Sequence, residues 1–262
     1  MSVAPTPSEI FRRSANEGER RLDQSLLELV STAFIAGFTI IFGIVALGIV
    51  HAAVEPQAGQ IARIAGALAF APGVVFLIVG RAELFTENFF DPAAAVVQRR
   101  ESRPVRQLMR LWAVTFVLNL IGGTLFALVF AVPGVLPEGA PEALRRVAEE
   151  IAARGAWAGF ASAVVGGALV ALLSFFLAAV NGVGSRIAMA YLVGFLLAVG
   201  PFDHVTVTVL HVFVGILFGA GIDLGTVAVI MAISTAGNLV GGVGLVTLSH
   251  VAQARGADES GE

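Results

Sequence analysis

A few polar side chains stand out because their surroundings are apolar. His204 closes the segment Gly200-Pro201-Phe202-Asp203-His204, which interrupts two uncharged runs, Ile187 to Gly200 and Val205 to Gly219. An imidazole there can donate or accept a hydrogen bond and can change charge near neutral pH. Asp203 is placed to raise its proton affinity if the carboxylate points that way. A second polar interruption, Gly80-Arg81-Ala82-Glu83-Leu84-Phe85-Thr86-Glu87-Asn88, precedes Asp91-Pro92 and offers the Thr86 hydroxyl and the Asn88 amide. Glu83 and Glu87 are too costly to face lipid, and Arg81 is near enough to pair with one of them. Glu83 is expected to tie its loop to backbone N–H groups. Asn119 and Asn238 are expected to hydrogen-bond to the two interruptions. His211 lies two helical turns beyond His204 and reads as a pore-wall or packing residue. With no Cys in the chain and no carboxylate cluster beside the two imidazoles, neither a metal site nor thiolate chemistry is expected. The chemistry within reach is hydrogen bonding and proton exchange at an imidazole, with no cofactor.

The elements that hold these groups follow from composition. Of 262 residues, 57% are hydrophobic and 13% charged, and mean hydropathy is +0.87. An average soluble domain carries about 25% charged residues. Too little polar surface remains for a soluble enzyme, a nucleic-acid binder or a disordered chain. A membrane span needs about 20 apolar residues. Leu29 to Val50, Ile64 to Gly80, Leu111 to Leu136, a span within Gly155 to Ser185, and Leu224 to Val251 qualify. The two runs around Pro201 are each too short to cross and together make one discontinuous span. The expectation is an all-α integral membrane protein of six transmembrane helices, with helices 2 and 5 broken.

All 16 basic residues are Arg. With six spans both termini share one side. That side gathers Arg12, Arg13, Arg20, Arg21, Arg99, Arg100, Arg103, Arg106, Arg110, Arg186 and Arg255. The other holds Arg63, Arg145, Arg146 and Arg154. The bias of 11 to 4 puts both termini in the cytoplasm. Residues 1–25 are expected to form a cytoplasmic amphipathic helix, not a cleavable signal peptide, residues 26–251 the transmembrane domain, and residues 252–262 a cytoplasmic tail.

Asn119-Leu120-Ile121-Gly122-Gly123 resembles Asn238-Leu239-Val240-Gly241-Gly242. Thr86 lies 33 residues before the first Asn and His204 lies 34 before the second. Each half, about 26–136 and 155–251, therefore reads as span, broken span, then a span carrying Asn-x-x-Gly-Gly. A duplicated unit with an odd number of spans must be inverted, and its breaks converge near the midplane. Backbone freed at that depth cannot face lipid and must line a cavity or be buried in protein.

These residues resemble the formate/nitrite transporter family. Ala82-Glu83-Leu84-Phe85-Thr86 is similar to that family's Glu-Leu-Phe-Thr loop, Phe202-Asp203-His204 to its Phe-Glu-His segment, and Gly237 to Gly242 to its Gly-Asn-x-x-Gly-Gly signature. The resemblance runs from about Leu26 to Ser249. It implies an aquaporin-like fold, a homopentamer in the bacterial inner membrane, and one pore per subunit for small monovalent anions such as formate or nitrite. It assigns the loop threonine to Thr86, the central histidine to His204, and apolar constrictions to Phe70, Leu84 and Leu197. The family's vestibule Lys is missing, with Arg154 as an approximate substitute. A neutral-solute pore of aquaporin type is the alternative, but Asp91-Pro92-Ala93 is the one approach to an Asn-Pro-Ala box. An enzyme would need a nucleophile and base near the break, and a sensor a larger soluble part.

Overall fold

A computed structural model describes residues 5–99 and 102–260. Arg100, counted above, and the outermost residues of both expected terminal segments lie outside that range. Helix α1 (Pro7–Leu22) opens with a capping box. The Thr6 hydroxyl accepts from the Glu9 N–H, and the Glu9 carboxylate accepts from the Thr6 N–H at 2.9 Å, which satisfies two otherwise free donors. Its buried face, including Ile10, Ala15 and Leu22, lies on the bundle.

Five helices are long and apolar enough to cross a membrane: α2 (Leu26–Ala58), α3 (Ile61–Val79), α5 (Ser102–Phe130), α7 (Ala156–Ala179), and the run formed by α10 (Leu224–Leu239), a π-helical stretch (Val240–Thr247) and α11 (Leu248–Ser260). Two shorter apolar helices, α8 (Val183–Val199) and α9 (Val205–Leu217), meet at the Gly200–His204 interruption. At 1.5 Å per residue neither spans a ~30 Å core alone. The first interruption follows α3. It contains a 3-10 turn (Thr86–Phe89) and leads into α4 (Asp91–Arg99). Helix α6 (Ala140–Ala152) has no counterpart among the sequence expectations. It is amphipathic, burying Ala140, Ala143, Leu144 and Ala148, and it packs on α2 and α9. The final helix continues through most of the expected tail.

The two halves repeat each other in their contacts. Helix α5 packs on α2 as α10 packs on α7. A Cβ at Gly122 would collide with the Phe34 carbonyl, and one at Gly241 with the Val164 carbonyl. The absence of a side chain lets each pair of helices touch backbone to backbone. Arg81 and Pro201, 120 residues apart, are the non-glycine positions with positive φ among the described residues. A central apolar core, including Ile40, Ile44, Phe70, Leu77 and Leu173, joins both halves. Large apolar side chains such as Phe76, Leu125, Leu128 and Val229 stay exposed on the outside of the bundle, as a lipid or subunit environment requires.

Candidate functional site

One buried asparagine holds each interruption. Asn119 on α5 donates to the Ala33 carbonyl at 2.8 Å and the Glu83 carbonyl at 3.0 Å, and accepts from the Phe85 N–H at 2.9 Å. Asn238 on α10 donates to the Ala163 carbonyl at 2.7 Å and the Asp203 carbonyl at 2.8 Å, and accepts from the Val205 N–H at 2.8 Å. The free backbone groups at membrane depth are thus paired with protein. The same bonds set the register of the repeat. Glu83 corresponds to Asp203, Phe85 to Val205, and so Leu84 to His204. The spacing had set Thr86 opposite His204 as equivalents, and that alignment is two residues out.

Thr86 and His204 are instead partners across the interface of the halves. The imidazole Nε2 and the Thr86 hydroxyl are in hydrogen-bond contact, both fully enclosed. His204 also caps α9: its Nδ1 accepts from the Val207 N–H at 3.3 Å. Since Nδ1 is the acceptor, the ring hydrogen sits on Nε2 and is donated to Thr86 Oγ1. An imidazolium would turn a second N–H against the Val207 N–H, so the cap and the Thr86 bond together fit the neutral ring.

Asp203 does not turn toward His204. Its carboxylate pairs with the Arg154 guanidinium and accepts from the Thr208 hydroxyl at 3.4 Å. Arg154 is fixed further by Ser162 Oγ at 3.1 Å. The expected Asp203–His204 coupling is thereby replaced by an ion pair that stands at the mouth of a cavity.

Arg81 likewise does not pair with Glu83 or Glu87. It is exposed, while Arg20 and Arg21 reach in from α1. The buried Arg21 guanidinium lies 2.7 Å from Glu87, 3.2 Å from Glu17, 3.5 Å from Glu83 and 3.7 Å from Asp91. Glu83 also accepts from the Gln24 amide at 2.9 Å. Asn88, expected in the pathway, lies under this cluster. Its oxygen accepts from Arg21 at 3.0 Å, its nitrogen donates to the Leu84 carbonyl at 3.1 Å, and it lines none of the four cavities described below. No sequence signal pointed to Arg21, because all its partners but Glu17 lie more than 60 residues away.

Four cavities share lining residues in sequence. A space of about 280 Å³ lies under α1, among Arg20, Arg21, Arg81, Glu83 and Arg186. Through Ile78 and Glu87 it adjoins a space of about 20 Å³ between Leu84, Leu197, Val207 and His204. Leu197, Val207 and His204 separate this from an outer cavity of about 80 Å³, walled by Phe70, Arg154, Asp203 and His211. That cavity opens past Leu47, Glu150 and Pro201 into a vestibule of about 590 Å³. The narrowest space holds about one water, and its wall is apolar except at His204 and Glu87.

A helical bundle with two interrupted helices meeting at a narrow, mostly apolar waist is the build of a membrane channel or transporter. Residues 8–252 match the sequence profile of the formate/nitrite transporter family, and the chain belongs to that family. It is 25% identical over 247 residues to the "Inner membrane protein YfdC" of Escherichia coli (strain K12), covering 94% of this chain and 78% of that one. Identity to the "Uncharacterized transporter YrhG" of Bacillus subtilis (strain 168) is 27% over 124 residues, 47% of this chain and 46% of that one. The fold is that of a solved "FNT family ion channel", with a TM-score of 0.81 at 18% identity over 94% of this chain and 99% of that one. A solved "Pentameric formate channel with formate bound" gives 0.73 at 17% identity over 87% and 96%.

Proposed function

We propose that this chain forms one pore per subunit, in a homopentamer of the bacterial inner membrane, for the small monovalent anions of weak acids such as formate and nitrite. The observation that carries this reading is the succession of cavities narrowing at Leu84, Leu197 and His204. The family and the solved pentameric formate channel that shares this fold support the substrate class and the pentamer. Counting α8 and α9 as one broken span gives six, and the Arg bias then sets both termini in the cytoplasm.

The waist explains selectivity. Moving a bare ion into surroundings of ε ≈ 4 costs on the order of 20 kcal/mol by the idealised Born estimate. The space under α1, where Arg20, Arg21, Arg81 and Arg186 face Glu17, Glu83 and Glu87, keeps a net positive charge that draws anions toward the waist, and the apolar side chains Leu84 and Leu197 at the waist and Phe70 beyond it reject any that stay fully charged and unpaired. His204 donates to Thr86, and among the described residues no other hydrogen bond engages that hydroxyl. Its hydrogen is free to meet the passing substrate, which crosses either as the neutral acid or as an anion held by hydrogen bonds.

Flux through reconstituted liposomes tests the reading. Formate, nitrite, hydrosulfide, chloride and a neutral solute are compared at two pH values, and weak-acid anions are expected to pass fastest. A neutral solute passing fastest overturns it. His204→Asn keeps an N-cap acceptor for α9 but cannot titrate. An unchanged pH dependence of flux in that variant would rule out proton exchange at His204.

A further inference from the structure

The outer cavity holds a second imidazole that the reading above leaves idle. His211 sits two turns along α9 from His204, and only 7% of it is exposed. Its Nδ1 is 3.0 Å from the Val207 carbonyl. A carbonyl can only accept, so Nδ1 carries the hydrogen, and Nε2 of the neutral ring is left as a bare acceptor. That Nε2 is buried and has no hydrogen-bond partner among the described residues. The ring stacks on Phe70, with centroids 6.2 Å apart, and both line the cavity of about 80 Å³. The other ionisable groups on that wall are Glu150, Arg154, Asp203 and His204. Arg154 and Asp203 hold each other, and His204 is committed to Thr86 and to the α9 cap.

A buried acceptor without a donor costs free energy until something supplies a hydrogen. A fully deprotonated anion such as formate or nitrite cannot, since it would set lone pairs against a lone pair. An undissociated weak acid can, through its O–H or S–H. Resting on the proposed channel function, we propose that His211 Nε2 accepts the acidic hydrogen of a small undissociated acid, making the outer cavity a resting site for the neutral form. Binding is by one hydrogen bond, with no transfer of the proton required. The site thereby favours acids that retain a hydrogen over permanently ionised anions of similar size.

The test compares formate with chloride in proteoliposomes at pH about 5, where a carboxylic acid still has an appreciable undissociated fraction. His211→Leu removes the acceptor and keeps an apolar packing partner for Phe70. His211→Gln keeps an acceptor oxygen. The ratio of formate to chloride flux is expected to fall about tenfold in the Leu variant, the worth of one buried hydrogen bond, and to stay within about threefold in the Gln variant. In the wild-type protein, adding formate at low pH should move the ¹⁵N shift of one bare imidazole nitrogen in the direction of hydrogen bonding. Equal flux ratios in all three proteins, or equal losses in Leu and Gln, overturn the proposal. So does an unmoved nitrogen signal, as expected if only water occupies the cavity. A wild-type protein that passes no weak-acid anion refutes the channel reading itself, which is a distinct result.

Discussion

Asn238→Ala is the perturbation whose cost follows most directly from the geometry. The amide makes three bonds of 2.7 to 2.8 Å in a site with no solvent exposure. Its removal leaves the Val205 N–H and the Asp203 carbonyl without partners, while the Ala163 carbonyl keeps its place within α7. Two orphaned buried groups cost about 1–3 kcal/mol each. Hydrogen bonds inside membrane bundles average about 0.6 kcal/mol and reach about 1.7, because the unfolded chain in lipid also finds partners. Both scales overlap at about 2–5 kcal/mol for three bonds. Asn119→Ala breaks the equivalent three bonds and should cost the same within error. Asn238→Asp should cost more than Ala, since it sets carboxylate oxygens against two carbonyls in place of an NH₂. The assay is reversible unfolding in mixed micelles, followed by the fluorescence of Trp112, whose indole N–H donates to the Asn88 carbonyl at 2.9 Å. A loss under about 0.5 kcal/mol for either alanine variant, within the range of ordinary surface substitutions, would refute the reasoning. So would an Asp variant as stable as wild type.

The α1 anchor gives two further expectations. Arg21→Met strips the counter-charge from Glu83, Glu87 and Asp91 and should cost about 3–5 kcal/mol in the same assay. Arg21→Lys should recover less than half, because one ammonium cannot reach Glu87 and Asn88 together as the planar fork does. Glu17 supplies a pH dependence outside the membrane. Burial pushes its pKa up, but the hydrogen bond from Arg20 and the charges of Arg21 and Arg20 outweigh this and hold it at about 2, down from 4.5. A lowered value means that the stabilisation is complete above pH 4.5 and is lost as the pH falls toward 2. With a third of the side chain exposed, screening limits the effect to about 1 kcal/mol. A probe of α1 docking should show wild type loosening across that window and Glu17→Gln showing no transition there. Identical profiles would contradict the assignment.

The breaks were legible because their residues defy their surroundings: a Gly-Pro pair in one apolar run and two glutamates near another. The asparagines were legible because Asn-x-x-Gly-Gly occurs twice, and each glycine pair marks a backbone contact. Helix α6 was not, since its 13 residues alternate charge with small apolar groups and are too short to read as a span. Charge partners were hidden for a different reason. Proximity in sequence suggested Arg81 for the glutamates and Asp203 for His204. Long guanidinium side chains from other elements, Arg21 and Arg154, reach those carboxylates first, and tertiary placement is not written in local spacing.

The corrected register also says why a symmetric scaffold gives an asymmetric waist. Both halves need the same backbone ties, so the asparagine, its carbonyl and N–H partners and the glycine contacts recur. The residue between the two tied groups is free to differ, because the tie uses only its neighbours' backbone. In the first half that residue is Leu84, and in the second it is His204. The two converge on the same space of about 20 Å³; under the proposed function one repeat then supplies the barrier to charge and the other the hydrogen-bonding group that offsets it. Two leucines at that point would leave nothing to offset the Born cost, and two histidines would open a polar waist with little reason to refuse larger or neutral solutes.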